Sequence, residues 1–97
     1  MTPAFHPLAD AELTDATAFY EAATPGLGED FLQEVERLLA LLDVYPDVGQ
    51  ERADGVHTLA ARRFPFTLIY ELSGGQPIVL AVAHQRRKPR YWADRRG

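Results

Sequence analysis

The sequence predicts an α+β fold: an N-terminal antiparallel helical hairpin packed on a small, mainly antiparallel β-sheet, with a short C-terminal tail or helix. Three observations predict it. Two stretches with helical spacing, Leu8 to Ala23 and Glu29 to about Val44, are separated only by a short stop and so belong to neighbouring antiparallel helices. Downstream the apolar period changes to two, most clearly from Phe64 to Leu72. The adjacent glycines Gly74 and Gly75 then supply the positive φ angles of a tight hairpin turn. With 97 residues, the chain is expected to form one domain over 1–97.

Taken in order, Ala4-Phe5-His6 reads as a short opening strand, confined by Pro7 to a sheet edge or a strand end. In the first helix Leu13, Ala16, Tyr20 and Ala23 recur three or four apart. Asp10 and Glu12 are placed in its first turn, where negative charge suits the helix dipole. Thr24-Pro25-Gly26 stops it. The second helix carries a continuous stripe of Phe31, Val35, Leu38, Leu39 and Leu42, again with acids (Glu29, Asp30) at its start. Residues 46–55 are polar and read as a loop. Strands follow over Val56 to Arg62, Phe64 to Leu72 and Ile78 to His84, and the chain ends in a tail from Pro89 with one or two helical turns.

A two-residue turn at Gly74-Gly75 pairs Leu72 with Pro77, Tyr70 with Val79 and Leu68 with Ala81. One sheet face then holds Phe66, Leu68, Tyr70, Val79, Ala81 and Ala83. The other holds Thr67, Ile69, Glu71, Ile78, Leu80, Val82 and His84. Both faces are apolar, yet a single helical hairpin covers only one. The second face therefore needs the tail around Tyr91 and Trp92, another chain, or both.

Composition narrows the function. The chain is 46% apolar and 25% charged, as in ordinary globular proteins. It has no cysteine, which removes disulfides and thiolate metal sites. His6, His57 and His84 lack ligand-like spacing, so no metal is expected. There is no phosphate loop, dinucleotide fingerprint or nucleophile elbow, and no cofactor is expected. No apolar run is long enough for a membrane span and no secretory signal is visible, so the expected compartment is the cytoplasm.

The net charge of −4 conceals a strong polarity. Residues 1–51 carry eleven carboxylates and one cation, whereas residues 52–97 carry three carboxylates and nine cations. Such a field steers an acidic partner to one face, or the two halves attract each other across the fold. The densest chemistry lies in Ala81 to Trp92, where a strand runs into His84, Arg86, Arg87, Lys88, Arg90, Tyr91 and Trp92. His84 has two readings: an acid or base beside a phosphate-binding cluster, or a ring packed at a strand end and bonded to the backbone. Arg62, Arg63, Arg95 and Arg96 extend the cationic set toward phosphate or acidic peptides. Tyr91 and Trp92 serve either to stack a base or to close the tail over the sheet.

The order Phe5-x-Pro7-x-Ala9-x-x-Glu12-Leu13, Tyr20-Glu21, Pro25-Gly26-Leu27-Gly28-x-x-Phe31, Arg63-Phe64-Pro65-Phe66-x-x-x-Tyr70 and Ala81-Val82-Ala83-His84-x-Arg86-Arg87-x-Pro89-x-Tyr91-Trp92 is similar to the RelE/ParE toxin superfamily. The resemblance spans nearly the whole chain. It implies the toxin of a type II toxin–antitoxin module, causing growth inhibition and serving plasmid stabilization. It also implies a cognate antitoxin wrapped around the toxin, with no sequence-specific DNA binding by this chain alone. RelE-like members cleave messenger RNA in the ribosome, whereas ParE-like members inhibit DNA gyrase. Were the chain RelE-like, the resemblance would give His84, Arg62, Arg86, Arg87 and Tyr91 catalytic roles. For binding an antitoxin or target it points to Arg63, Arg86, Arg87, Arg90, Tyr91 and Trp92. The strand lysines of RelE-like members are missing, with His57 in Val56 to Ala61 instead, and the net charge is acidic. The expectation is therefore a ParE-like toxin that acts on gyrase by binding. An RNA endonuclease and a non-toxic antitoxin-binding module are the alternatives.

Overall fold

A computed structural model describes residues 3–52 and 54–96; Ala53 of the expected 46–55 loop, and Met1, Thr2 and Gly97 of the expected 1–97 domain, lie outside the described residues. The elements are β1 (Ala4–Phe5), α1 (Pro7–Ala23), α2 (Leu27–Val44), β2 (Gln50–Glu51), β3 (Val56–Ala60), β4 (Phe66–Ser73), β5 (Gln76–His84) and a 3₁₀ turn at Ala93–Arg95. The strands form one sheet in the order β1-β5-β4-β3-β2, antiparallel except for the parallel β1–β5 pair. The fold is thus the expected α+β arrangement of a helical hairpin on a mainly antiparallel sheet.

Local chemistry explains the helix bounds. Pro7 occupies the first helical position, where its missing N–H costs nothing, and the His6 Nδ1 accepts the Leu8 N–H at 3.1 Å. Because α1 starts there, its first turn holds Asp10 as expected but not Glu12, which lies one turn further on. The hairpin is locked by Glu21, whose carboxylate accepts the N–H groups of Gly26 (3.0 and 3.1 Å) and Gly28 (3.1 Å) at the open end of α2. Gly28 is needed for the crossing, since a Cβ there would lie 2.6 Å from the Thr17 carbonyl. The stripe of α2 buries Phe31, Val35, Leu38 and Leu42 against the sheet. Tyr20 joins Phe31, Phe64 and Phe66 in an aromatic cluster with centroids 5.0–6.1 Å apart.

Three further sequence expectations are corrected. Gln50 and Glu51 of the expected loop form a short strand paired with Thr58 and His57. The strand expected over Val56 to Arg62 ends at Ala60, because the chain turns at 62–65 with Arg63 at φ 69°. The third correction concerns the faces. The turn pairs Leu72 with Pro77 and Tyr70 with Val79 as expected, but Leu80 is then an extra residue. Ile69 pairs with Ala81, and Leu68 pairs with Val82 in place of the expected Ala81. This β-bulge reverses the alternation of β5. Val82 joins the helix side and His84 comes opposite Phe66, while Ala81 and Ala83 move to the far side with Ile69 and Leu80. The far side is covered by Trp92 of the tail, which packs with Val56, Ile69, Leu80, Ala81 and Ala83. The tail contributes a single 3₁₀ turn.

Candidate functional site

The end of β5 delivers the chain into a turn at 85–88, tied back by the Gln85 N–H donating to the Pro65 carbonyl at 2.8 Å. His84 packs edge-on against Phe66 (5.1 Å), and its Nδ1 accepts the Arg86 N–H at 3.0 Å. This is the strand-end geometry weighed from sequence; it fixes the ring and leaves Nε2 for other contacts. Arg87 stacks on Tyr91 with its guanidinium carbon 3.9 Å from the ring centre, while Arg90 lies over Trp92 at 5.3 Å. Arg90 adopts φ 62° and pairs with Asp54 at 2.7 Å, so an arginine holds a left-handed turn that usually favours glycine.

Behind these residues lies a hub that sequence reasoning did not assemble. The Glu12 carboxylate accepts from the Val82 N–H (3.0 Å), the Tyr91 hydroxyl (2.8 Å) and both Nη atoms of Arg95 (3.0 and 3.1 Å). Arg95 Nη1 also donates to the Leu80 carbonyl at 3.0 Å, and its side chain is only 9% exposed. One carboxylate thereby joins α1, β5 and the tail, and it does so at the bulge, where the ladder leaves backbone groups to be satisfied. Burial, together with the bond to Glu12, pushes the Tyr91 hydroxyl up to about 12. A phenol so held keeps its proton at neutral pH. Arg96 ties the end of the tail to β4 through Glu71 at 3.1 Å.

The predicted residues are thus divided. His84, Arg87, Arg90, Tyr91 and Trp92 surround one groove of about 280 Å³, and Arg86 lines neither this groove nor the next. Arg62 and Arg63 lie apart, in a recess with α2: the Arg62 N–H donates to Glu34, and Arg63 approaches Asp30 at 3.9 Å. The Glu34 carboxyl is held below its usual range, first by the hydrogen bond from Arg37. A larger groove of about 510 Å³ opens on the other side of His84 and Arg87. Its wall is one face of α1 at helical spacing, Glu12, Asp15, Ala16, Phe19 and Tyr20, opposite Phe66 and Val82. Phe19 is 70% exposed there. Sequence reading passed over Asp15 and Phe19, although the i, i+3, i+4, i+7 spacing from Glu12 was available as a signal.

His57 is buried against Tyr70 (5.1 Å, 21° between planes), and its Nδ1 has no hydrogen-bond partner among the described residues. No group of three or more His, Cys, Asp or Glu residues able to hold a metal occurs among the described residues. Among the described residues, no helix is long and apolar enough to cross a membrane.

Comparison with known proteins adds two findings. A family model described as ParE toxin of type II toxin-antitoxin system, parDE, matches residues 4–89. A solved structure described as the chromosomal ParDE TA system from P. aeruginosa superposes with a TM-score of 0.74 at 20% identity, over 87% of this chain and 95% of that one. At that identity the likeness is one of fold. No curated protein sequence matches.

Proposed function

The chain belongs to the ParE toxin family of type II toxin–antitoxin systems, and on that premise we propose that it is a cytoplasmic toxin that works by binding, with DNA gyrase as its target and a cognate antitoxin as its neutralising partner. In a module of this kind the pair would serve growth inhibition and plasmid stabilization. The observation that carries the binding reading is the state of Tyr91. In the ribonuclease alternative this residue would move a proton beside the scissile phosphate. Here its hydroxyl donates to Glu12 and its ring is in contact with Arg87 and Arg95, with guanidinium carbons 3.9 and 5.1 Å from the ring centre. With a pKa of about 12 it is a poor general base at neutral pH. His57, in the strand that lacks the expected lysines, is buried beside Tyr70 and is not presented to a phosphate.

In this reading Arg86, Arg87, Arg90, Tyr91 and Trp92 form or support one contact surface, Arg63 belongs to a separate one beside α2, and His84 and Arg62 have no chemical step to perform. The test is a gyrase supercoiling assay with the purified chain, run beside mapping of messenger 5′ ends after induction. Dose-dependent loss of supercoiling with no new 5′ ends is expected. Intact supercoiling at saturating protein, with new 5′ ends in translated messages, would overturn the proposal in favour of RNA cleavage. Neutralisation is read separately: expression alone arrests growth, and co-expression of the antitoxin restores it.

A further inference from the structure

On the reading that this chain works by binding, with gyrase as its target, we infer that the turn at 62–65 is a contact for the target protein, with Arg63 and Arg62 held out to grasp one of its surface carboxylates. The Ala61 N–H donates to the Phe66 carbonyl at 2.9 Å and so closes the link between β3 and β4. Inside that link Arg63 takes φ 69°, a left-handed conformation that glycine adopts freely and a larger residue does not. Arg90 is the other non-glycine residue at positive φ among the described residues, and its side chain gives a reason: a 2.7 Å ion pair with Asp54. Arg63 has no such anchor. Its guanidinium is 3.9 Å from Asp30 and 5.6 Å from the centre of the Phe64 ring, and its side chain is 70% exposed. Exposed pairs of that kind contribute little. A disfavoured backbone state kept for a side chain with so little to hold inside the fold points to a use outside it.

The recess around the turn sets the chemistry of the contact. Arg37 of α2 donates from Nε and Nη2 to Glu34, both at 2.8 Å, and the Arg62 N–H donates to the same carboxylate. Glu34 thereby pins the turn to α2 through the backbone of Arg62 and not through its side chain. The Arg62 guanidinium has no carboxylate within ion-pair distance among the described residues. Arg37, Arg62 and Arg63 face only Asp30 and Glu34 in a recess of about 280 Å³, which leaves one positive charge in excess. A single carboxylate balances it, and the planar guanidinium fork suits that group. A strand of phosphates fits less well, because it would run past Glu34 and past Asp30, whose side chain is 48% exposed. The recess shares no lining residue with the two grooves beside His84.

The test compares the full wild-type chain with Arg63→Gly and Arg62→Ala, by thermal unfolding and by binding to immobilised, DNA-free gyrase. Arg63→Gly removes the side chain and the left-handed penalty together. Arg62→Ala leaves the backbone bond to Glu34 in place. Arg63→Gly should unfold at the wild-type temperature or above it, yet bind gyrase about tenfold more weakly or worse. Its binding should also depend less steeply on salt. Arg62→Ala should weaken binding in the same direction, and growth arrest by Arg63→Gly, expressed without antitoxin at equal level, should fall in step. Wild-type affinity in both variants would overturn the inference. So would a lower unfolding temperature in Arg63→Gly, because the side chain would then offset its conformation within the fold. Binding of short duplex DNA by wild type that Arg63→Gly abolishes would put a phosphate in place of the carboxylate and overturn it as well. A wild type that arrests growth without binding gyrase ends the gyrase reading alone. Arg63→Gly then still decides the use of the turn: retained arrest overturns it, and lost arrest in a folded variant upholds it for another target. A wild type that neither binds gyrase nor arrests growth overturns both.

Discussion

One face of the sheet is closed by helices of 17 and 18 residues that interleave a leucine-rich stripe with an aromatic cluster; the other is closed by residues 85–96, pinned through Trp92 and a few polar bonds. The first closure is spread over many apolar contacts and has no single point of failure. The second depends on direction: Arg95 and Tyr91 meet Glu12, and Arg96 meets Glu71. Directional bonds contribute modestly when made but cost the desolvation of the remaining partner when one side is removed. The comparison teaches that the two faces fail differently. The helix face is expected to unfold with the whole domain, and the tail face to open alone.

The largest effect is expected on the helix face. Leu38→Ala empties a site that is about 1% exposed and should cost about 2–5 kcal/mol. Trp92 is the only tryptophan in the chain, so its emission reports the tail while far-UV circular dichroism reports the helices. In Leu38→Ala both signals should move together along a denaturant titration. Glu12→Gln comes next, at about 1–3 kcal/mol, because it leaves the largely buried Arg95 guanidinium without its counter-charge. Here Trp92 emission should shift at lower denaturant than helicity is lost. Coincident transitions in Glu12→Gln would show that the tail is integral to the global fold and would remove the contrast.

The effect of pH sharpens the same point. Folding raises the Tyr91 pKa from 10.0 to about 12, so the folded chain keeps a proton that the unfolded chain releases. The native state then binds more protons between these values, and stability is complete below about pH 10 and falls as pH rises through 12. Tyr91→Phe should flatten this alkaline loss, as followed by Trp92 emission. The smallest effect is expected at Phe19, whose truncation to alanine should change stability by less than about 0.5 kcal/mol because the ring is already largely in solvent.

Much of the fold was legible in the sequence, because helical spacing, a Pro-Gly stop and a glycine pair are local signals. Gly74 and Gly75 adopt φ of 57° and 81°, as the hairpin requires. The bulge at Leu80 was not legible. Leu80 and Ala81 carry no glycine or proline to mark it, and what favours it is tertiary: the Leu80 carbonyl and the Val82 N–H are both taken up by the Arg95–Glu12 pair. The site divides in the same way. Tyr91 and Trp92 announced themselves as bulky aromatics in a short tail, and Trp92 does close the sheet. Glu12 and Arg95, 83 positions apart, do not resemble partners in a linear reading, and Glu12 was assigned to a helix dipole instead. The two-residue strand at Gln50–Glu51 was missed because polar pairs of that length have no period to detect.

The most direct test is growth arrest by Tyr91→Phe expressed without antitoxin, beside its thermal unfolding. The phenol is assigned a structural bond to Glu12 and no proton transfer. Growth arrest should therefore persist at near wild-type strength, with a modest loss of stability of about 1 kcal/mol. A folded Tyr91→Phe protein that no longer arrests growth would contradict the account and return Tyr91 to the chemistry of the toxin.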